Sequence, residues 1–328
     1  MSLITKTVII GGSGFVGTRL IDLLGKENCI NIDKTFSLKH NEITRIFDIR
    51  NKNLEIVLPD NTDSVILLAA EHRDDVLPIS LYYDVNVEGT KNVISAFEKK
   101  GINKVVFISS AAVYGLGEPN PDENHPLQPS SHYGKSKASA EKLLQDWQKK
   151  SPITRCLTIV RPAVIFGEDN KGNVHNLLRQ ISSGKFIMIG NGMNKKSMAY
   201  VGNASAFIQY CIQTNTTGER VFNYVDNPDL NMRELVCEVE KSIEKKLLPI
   251  RFPYWLGLMG GIVFDLISSL TGKSYPIKMI RIKKFCATTQ INAIKAHSSG
   301  FIAPYSLAKG LHLTLKNEFP EHFAKDTE

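Results

Sequence analysis

Short apolar runs, rich in β-branched residues, alternate with amphipathic stretches through the first half of the chain. The apolar runs predict five strands: KTVIIGG, NCINID, SVILLAA, KVVFISS and CLTIVRP. They are nearly all apolar, as expected of strands that are buried on both faces of a sheet. The amphipathic stretches predict helices over Phe15–Gly25, Val85–Lys100 and Ser136–Lys149. This alternation is typical of an α/β fold with a Rossmann-type, doubly wound parallel sheet.

The pattern changes after about Phe166. Loops become frequent, and helices such as Met232–Lys245 alternate with isolated strands such as RVFNYVD. The sequence has no internal repeat, and no low-complexity linker separates the two parts of the chain. We therefore predict that residues 1–166 form the doubly wound domain and that residues 167–328 form mainly a smaller, substrate-binding C-terminal lobe.

One late segment, residues 254–272 (YWLGLMGGIVFDLISSLTG), has a pattern of its own. Placed on a helix, it forms one apolar stripe of Trp255, Met259, Ile262, Val263, Leu266 and Leu270. It is too short for a good membrane span, and Asp265 interrupts it. Two interpretations stay open: a helix packed on the protein core, or an interfacial helix on a membrane. A basic cluster follows and favours the second interpretation: Lys273, Lys278, Arg281, Lys283 and Lys284.

Composition and charge narrow the functional classes. The 328 residues are 42% hydrophobic, which is enough for a sizeable core, and the formal net charge is +7. A basic excess fits phosphate-bearing substrates, nucleic acid or an anionic membrane surface. Nucleic acid is the weakest of these because basic residues and aromatics are not interleaved in a stripe. We predict no nucleic-acid partner.

The cysteines and histidines give no sign of a metal or of a disulfide framework. Five cysteines lie far apart with no C-x-x-C pair, and the eight histidines lack ligand spacing. We therefore expect no metal and a reducing compartment. The first residues, MSLITKTVIIGG, form a β-rich run that leads into a glycine turn, unlike a signal peptide.

The glycine turn, GGSGFVG at residues 11–17, follows the first predicted strand and opens the first helix. Gly12, Gly14 and Gly17 match G-x-G-x-x-G, and Gly11, Gly14 and Gly17 match the related G-x-x-G-x-x-G spacing. Such glycines let the backbone approach a pyrophosphate, which rests on the helix N-terminus. The predicted dinucleotide contacts here are Gly11, Gly14, Phe15, Val16 and Gly17.

Acidic and small residues at later strand ends extend this site. Asp33 ends the second predicted strand, about 20 residues after the turn, where a carboxylate bonds both ribose hydroxyls of NAD and repels the 2′-phosphate of NADP. NAD is therefore the predicted cofactor, although Lys34 follows directly. Asp48 could bond the adenine amino group, with Ile49 beside it, or it could cap a loop. Small residues let a cofactor pass close at the end of SVILLAA: Ala69 and Ala70.

The stretch HYGKSK places Tyr133 and Lys137 four residues apart, on one face of a helix. With Ser110, at the end of the strand in ISSAAVYG, they form Ser…Tyr-x-x-x-Lys. Together with Asn86 and the segment VRPAVIFG, this pattern resembles the extended branch of the short-chain dehydrogenase/reductase superfamily.

The resemblance covers essentially the whole chain and implies a role for each residue. Tyr133 is the base that takes a sugar hydroxyl proton, and a nearby ammonium favours its phenolate. Lys137 also holds the nicotinamide ribose, and Ser110 bonds the reacting oxygen. Asn86 is expected beside the cofactor as structural support for a proton path. Dimers are common in this branch, so a homodimer is an expectation of the resemblance.

Three reactions share this machinery. Dehydratases of the branch usually carry an acidic pair just after the active-site hydroxyl, where this chain has Ala111 and Ala112. A 4-keto-sugar reductase would consume NADPH, which Asp33 disfavours. A 4-epimerase needs only bound NAD and is our first choice. A non-catalytic NAD-binding scaffold or sensor has no use for the intact Ser–Tyr–Lys set.

A closer resemblance rests on segments including LLAAEHRDDV, YYDVNVEGT, DENHP, GNGMNKKSMAYVGN, FNYVDNPDLNM, RIKKFCATTQ and SSGFIAPYSL. They look like the enterobacterial enzymes that 4-epimerise N-acetylglucosamine on undecaprenyl diphosphate. This implies a peripheral enzyme at the cytoplasmic face of the inner membrane, serving O-antigen or another surface polysaccharide. The alternative is a soluble, cytoplasmic UDP-N-acetylglucosamine 4-epimerase.

Candidate substrate contacts lie mostly in the predicted second lobe. Basic side chains that could bind the diphosphate, or could simply be solvated surface charges, are Lys195, Lys196 and Arg281. Asn173 and His175 in GNVHNL could meet the sugar, although a lone histidine is more often structural. Ser110 completes this set.

Overall fold

The computed structural model describes residues 6–73, 76–214, 216–247, 250–259, 262 and 279–323. The strands of these residues are β1 Lys6–Ile10, β2 Cys29–Asp33, β3 Thr44–Ile46, β4 Thr62–Leu67, β5 Lys104–Ile108, β6 Cys156–Pro162, β7 Val164–Phe166, β8 Ile187–Ile189, β9 Lys195–Lys196, β10 Met198–Tyr200, β11 Gly218–Tyr224, β12 Leu230–Asn231 and β13 Ile250–Phe252. The α-helices are α1 Phe15–Leu24, α2 Ser80–Tyr83, α3 Gly89–Lys100, α4 His132–Lys149, α5 Asn173–Ser182, α6 Val201–Gln213, α7 Met232–Ser242, α8 Met279–Cys286, α9 Ile294–His297 and α10 Leu307–Glu318.

Shorter helical turns complete these elements. A π-helical turn, Asp84–Glu88, joins α2 to α3. Three-ten turns cover Lys26–Asn28, Asn41–Ile43, Leu54–Ile56, Ala111–Tyr114 and Pro320–His322. The turn Ala111–Tyr114 follows β5 directly and so lies next to the predicted active-site hydroxyl of Ser110.

The chain divides into two compact units. The first contains the residues up to Ile165 together with Val201–Val225 and Ile291–Tyr305, and the second contains Phe166–Tyr200, Asp226–Gln290 and the residues from Ser306 onward. The first break falls after Ile165, one residue before the division drawn from the sequence, and the substrate-binding role of the second part stays a prediction. The later return to the first unit differs from that division, which placed RVFNYVD in the second lobe. In the structure the first five residues of this run belong to β11, which pairs with β6 in parallel, with Val221 opposite Ile159.

The first unit is built on a parallel, seven-stranded sheet of order β11-β6-β5-β4-β1-β2-β3. The order reverses between β1 and β4, which pair directly. In an open α/β sheet this switch point opens a crevice at the carboxyl ends of the strands, where ligands bind. The predicted doubly wound Rossmann-type fold is confirmed.

Apolar burial on both faces of this sheet stabilises the first unit. The strand residues Val8, Val65 and Leu157 have no exposed surface and pack with the helices that cover them. The rings of Phe97 from α3 and Trp147 from α4 meet edge to face, with centroids 6.0 Å apart. Burying side chains of this size contributes about 1.5–3 kcal/mol each, so α4 is firmly fixed on the sheet.

The second unit contains small strand pairs and helices. β8 pairs with β13 in parallel, and β9 pairs with β12 antiparallel. Helix α7 begins with a capping box, in which the Asn231 side chain accepts from the Glu234 N–H and the Glu234 carboxylate accepts from the Asn231 N–H. Such a cap satisfies two otherwise unpaired donors and fixes where the helix starts.

Some elements differ from the sequence-based predictions. Strand β3 was not predicted, because its three partly exposed residues make no apolar run. Helix α4 begins at His132 rather than Ser136, because the Ser131 hydroxyl caps it by accepting from the Gly134 N–H at 3.0 Å. The predicted helix Val85–Lys100 is divided into the π-helical turn and α3.

The predicted apolar segment 254–272 is only partly within the described residues. Residues 254–259 are helical, and Ile262 is helical and exposed. Residues 263–272, Lys273 and Lys278 and the side chains of Arg281 and Lys284 lie outside the described part. Lys283 is exposed on α8. Over the described residues, no helix has both the length and the apolar character needed to cross a bilayer.

Candidate active site

The glycine-rich turn lies at the switch point of the sheet. Gly11 follows β1 with a φ of 94°, and a Cβ there would come within 2.4 Å of the Ala69 backbone nitrogen. A Cβ on Gly17 would lie 2.4 Å from the Gly12 Cα, so glycine lets α1 pack on the turn. At Gly11, only glycine tolerates both the positive φ and the close approach of the Ala69 backbone. The turn, Phe15 and Val16 at the start of α1, and Ala69 and Ala70 after β4 therefore form one narrow crevice.

Asp33, at the end of β2, is hydrogen-bonded to the glycine turn and to the residues that follow its own strand. Its Oδ2 accepts from the Ser13 N–H at 3.0 Å, and its Oδ1 accepts from the Thr35 N–H at 3.0 Å. The carboxylate is thus held at the mouth of the glycine turn, where the ribose of a dinucleotide would pass.

Asn31 is a site residue that the sequence analysis missed. Its side chain is fully buried, accepts from the Gly12 N–H at 2.9 Å, and donates to the hydroxyls of Ser13 and Thr44. It therefore fixes the glycine turn from behind. The available signal was a lone amide inside the otherwise apolar run CINID, since a buried polar side chain needs partners.

Asp48 follows β3 and pairs with Arg50. The Arg50 Nη2 donates to Asp48 Oδ2 at 2.6 Å, and the Arg50 backbone N–H donates to Oδ1 at 2.9 Å. The hydrogen bond from Arg50 holds the pKa of Asp48 below its ordinary value. This is the loop-capping arrangement, and the adenine contact stays a prediction. Ile49 is buried against Gly89, where a Cβ would lie 2.7 Å from the Ile49 Cδ1.

Asn86 connects the segment after β4 to α4. In the π-helical turn, its Oδ1 accepts from the Glu71 N–H at 2.8 Å, and its Nδ2 donates to the Glu71 carbonyl and to the Ser136 hydroxyl. Ser136 in turn donates to the Tyr133 carbonyl at 2.8 Å. The side chain of Asn86 is therefore engaged in holding the backbone beside Ala70 and Tyr133.

Tyr133 and Lys137 lie on one face of α4, in its first and second turns. Tyr133 is half-buried, and its ring lies 6.5 Å from that of Tyr82, centroid to centroid. Lys137 is fully buried, and its Nζ donates to the Ile108 carbonyl at 2.6 Å and lies 4.0 Å from the centroid of the Phe107 ring. Burial lowers the pKa of Lys137 to about 7, while the Glu141 carboxylate acts to raise it. The ammonium is thus aimed at the end of β5.

Ser110 caps the three-ten turn at that same strand end. Its hydroxyl accepts from the Ala112 N–H at 3.2 Å. The turn packs tightly on the start of α4, because a Cβ on Gly134 would lie 2.4 Å from the Ala112 carbonyl oxygen. The structure therefore brings the segments of Ser110, Tyr133 and Lys137 together at the end of β5. A hydroxyl, a phenol and an ammonium on adjacent segments can polarise an alcohol and transfer its proton.

The predicted substrate residues of the second unit have other contacts. His175 Nε2 lies 3.2 Å from a Glu318 carboxylate oxygen, and its ring packs on Phe319. Asn173 is the first residue of α5 and is exposed.

The basic candidates differ from one another. Lys195 is exposed on β9, whereas the Nζ of Lys196 donates to the Ala287 carbonyl at 2.6 Å. Burial lowers the pKa of Lys196 to about 8. The side chain of Arg281 lies outside the described part. All five roles in the second unit stay predictions.

Comparison with known proteins identifies the family. The sequence profile of the NAD dependent epimerase/dehydratase family matches residues 7–224. The N-acetyl-alpha-D-glucosaminyl-diphospho-ditrans,octacis-undecaprenol 4-epimerase of Escherichia coli O157:H7 is 55% identical over 98% of this chain and 97% of its own. The UDP-glucose 4-epimerase of Vibrio cholerae is 30% identical over 81% of this chain and 86% of its own.

A solved structure has the same fold. The UDP-glucose 4-epimerase of Thermus thermophilus, in complex with NAD, superposes with a TM-score of 0.73 at 18% identity and covers 96% of this chain and 99% of that one. The chain described here therefore belongs to the NAD dependent epimerase/dehydratase family.

Proposed function

We propose that this protein reversibly 4-epimerises N-acetylglucosamine to N-acetylgalactosamine on undecaprenyl diphosphate. The observation that carries the proposal is the 55% identity, over nearly the full length of both chains, to the relative named for that reaction. The clustered segments of Ser110, Tyr133 and Lys137 supply the required chemical groups.

Tyr133 is the proposed base. A free phenol has a pKa of about 10, so a positive charge is needed to make it a base near neutral pH. Lys137, one helical turn along α4, supplies that charge. Tyr133 takes the proton of the sugar C4 hydroxyl as the carbonyl forms and later returns it. Ser110 donates a hydrogen bond to the same oxygen.

The crevice at the switch point fits NAD. Gly11 and Ala69 leave no room for a Cβ between the two strand ends. Asp33, held at the mouth of the glycine turn, would meet the ribose, and the N-terminus of α1 would bind the pyrophosphate. When bound, NAD would take up the hydride from C4 and return it to the other face. Ala111 and Ala112 stand where a dehydratase would need acidic groups, which favours epimerisation.

An exposed apolar surface in the second unit supports a lipid-linked substrate. Its most exposed members are Trp255 at 60%, Ile250 at 58%, Met259 at 54% and Ile262 at 53%. The β8–β13 pair extends it, since Ile187 lies opposite Ile250 and both are exposed. A cluster of exposed apolar side chains on a protein surface marks an interaction site. Phe252, Tyr254 and Leu256 are also exposed. We call this set the apolar surface: Ile187, Ile250, Phe252, Tyr254, Trp255, Leu256, Met259 and Ile262.

We therefore place the protein peripherally on the cytoplasmic face of the inner membrane, in the assembly of O-antigen or another surface polysaccharide. Burial of apolar side chains contributes about 25 cal/mol per Å², and a basic residue near an anionic surface adds roughly 1 kcal/mol. Arg251, between Ile250 and Phe252, and Lys283 are exposed cations of this unit. The homodimer remains an expectation.

The alternative is a soluble epimerase of UDP-linked sugars, as the relative from Vibrio cholerae is named. The experiment that separates the two offers purified protein UDP-N-acetylglucosamine and, separately, N-acetylglucosaminyl-diphospho-undecaprenol in detergent. Conversion of the lipid-linked sugar alone is the expected result. Conversion of the UDP-linked sugar alone would replace the proposal with the alternative.

A further inference from the structure

A buried polar network lies behind the candidate active site. Arg161, on β6, donates from Nη2 to Glu141 Oε2 at 2.7 Å and from Nε to Glu141 Oε1 at 3.1 Å. From Nη1 it also donates to the Tyr114 hydroxyl at 2.8 Å. These side chains are nearly inaccessible to water: Arg161 is 4%, Tyr114 2% and Glu141 1% exposed. Burial of a charge pair costs desolvation free energy, so the pair by itself is weak evidence of a role in stability.

The network reaches further through Asn223 of β11. The Tyr114 hydroxyl donates to Asn223 Oδ1 at 2.7 Å. Asn223 Nδ2 donates to the carbonyls of Pro121 and Asn292, and its N–H donates to a Glu123 carboxylate oxygen. The segment between Ser110 and Tyr133 is therefore fixed at Tyr114 and again at Pro121–Glu123.

The positions of the three central residues connect the network to the candidate active site. Tyr114 ends the three-ten turn that Ser110 begins. Glu141 lies one helical turn after Lys137 and two after Tyr133, on the same face of α4. Arg161 thus connects the three-ten turn to α4 through its hydrogen bonds to Tyr114 and Glu141.

We propose that Tyr114, Glu141 and Arg161 are positioning residues, which hold the Ser110 turn at a fixed distance from Tyr133 and set the charge around Lys137. The proposal rests on the proposed roles of Ser110, Tyr133 and Lys137. Reactions of this kind are sensitive to placement, because a 1 Å displacement of a reacting group can cost about 100-fold in rate. None of the three side chains needs to touch the substrate.

The charge at Lys137 depends on a small set of neighbours. Its ammonium donates to the Ile108 carbonyl and lies over the Phe107 ring, both from β5, and it feels the charge of Glu141 from α4, which is itself paired with Arg161 of β6. Tyr133 lies one helical turn before Lys137 on the same face of α4. Glu141 raises the pKa of Lys137 against the effect of burial. If Glu141 lost its charge, the Arg161 cation would be left unneutralised, and Lys137 would lose its proton at a lower pH.

The first test separates positioning from stability. Tyr114→Phe removes one oxygen from the network, and Tyr210→Phe removes one from a part-buried hydrogen bond to the Ser299 carbonyl in the same unit. We expect Tyr114→Phe to lower kcat about tenfold, with KM and bound NAD unchanged, and Tyr210→Phe to keep the wild-type kcat at a similar melting temperature. Wild-type kcat in Tyr114→Phe, or equal losses in both variants, would overturn the positioning role.

The second test uses the pH profile. Activity should fall at alkaline pH as Lys137 loses its proton, and Glu141→Gln should move that midpoint downward by about one pH unit. The double variant Glu141→Gln with Arg161→Gln removes both charges and should move the midpoint back toward the wild-type value. A midpoint that stays in place in Glu141→Gln refutes the electrostatic role. The electrostatic role is also refuted if the midpoint of the double variant is no closer to the wild-type midpoint than that of Glu141→Gln.

The same pH series is repeated without sugar, by following the reduction of bound NAD by cyanoborohydride. A cation beside the nicotinamide favours hydride uptake, so the rate should show the same shifts among the variants. If the unmodified protein converts neither sugar, the proposed function fails. The cyanoborohydride series then still tests whether Glu141 and Arg161 set the charge around Lys137. If sugar is converted and neither series shifts, only the network proposal fails.

Discussion

Gly134 and Ala112 lie in such close contact that a Cβ on Gly134 would be 2.4 Å from the Ala112 carbonyl oxygen. Gly134 follows Tyr133 directly, and Ala112 lies two residues after Ser110. The absence of a side chain therefore sets how near the proposed base comes to the proposed hydroxyl donor. The atom that a Cβ on Gly134 would meet belongs to the backbone of Ala112, so no flexible side chain could move aside.

Gly134→Ala should consequently reduce activity by about tenfold or more, because α4 or the Ser110 turn must move apart. Overpacking should also lower the free energy of unfolding by about 1–3 kcal/mol. Steady-state kinetics and thermal melting measure both effects. Ser139→Ala, on the exposed side of the same helix, is the control and should change neither. Full activity in Gly134→Ala would show that the contact does not govern the site.

Tyr133→Phe should keep the fold and the affinity for NAD, because one oxygen is removed. Turnover should fall by about 10²-fold or more, as is typical when general acid–base catalysis is lost. Tyr210→Phe is the control for loss of a phenolic oxygen outside the candidate site, where it makes a part-buried hydrogen bond. Initial rates and bound NAD are measured together. Near-normal rates in Tyr133→Phe would remove Tyr133 from the mechanism.

Asn31→Leu should weaken NAD binding, because it removes the acceptor for the Gly12 N–H and loosens the glycine turn. Leaving such a buried donor unpaired costs about 1–3 kcal/mol, or roughly tenfold or more in affinity if the cost falls on the bound state. Calorimetric titration of NAD into cofactor-free protein measures it. Thr44→Ala removes another partner of Asn31 and leaves the Gly12 bond in place, so it should bind NAD nearly as the wild type does. Unchanged affinity in Asn31→Leu would count against a role for Asn31.

The reaction should proceed without added NADPH and with no net change in nicotinamide absorbance, since the hydride returns to the same sugar. The measurement is product formation alongside the absorbance of the reduced cofactor. Stoichiometric consumption of NADPH during turnover would instead identify a reductase.

Glutamates at Trp255, Met259 and Ile262 should release the protein from anionic vesicles, because each places a charge in the proposed lipid-facing part of the apolar surface. These side chains are more than half exposed, so the melting temperature should stay near that of wild type. Leu38→Glu, at an exposed apolar residue of the first unit, is the control and should leave vesicle binding intact. A folded triple variant that still floats with vesicles would reject membrane attachment through this surface.

The fold class and the strand ends that form the candidate site were predictable from the order of residues alone. Five apolar runs matched β1, β2, β4, β5 and β6, because strands covered on both faces are mostly apolar. The glycine spacing and the pair Tyr133 and Lys137 were also evident, since each depends on local geometry. Patterns with a period of two or 3.6 residues carry that information directly.

Which distant segments meet became known only from the folded chain. It placed β11 beside β6, although the chain between these two strands includes Phe166–Tyr200 of the other unit. It also joined Tyr114, Glu141 and Arg161, which are separated by up to 47 residues, and it turned the buried amide of Asn31 toward the glycine turn. Such contacts depend on how strands are ordered and helices packed, and a one-dimensional pattern records only which side chains must be buried, not which partners they find.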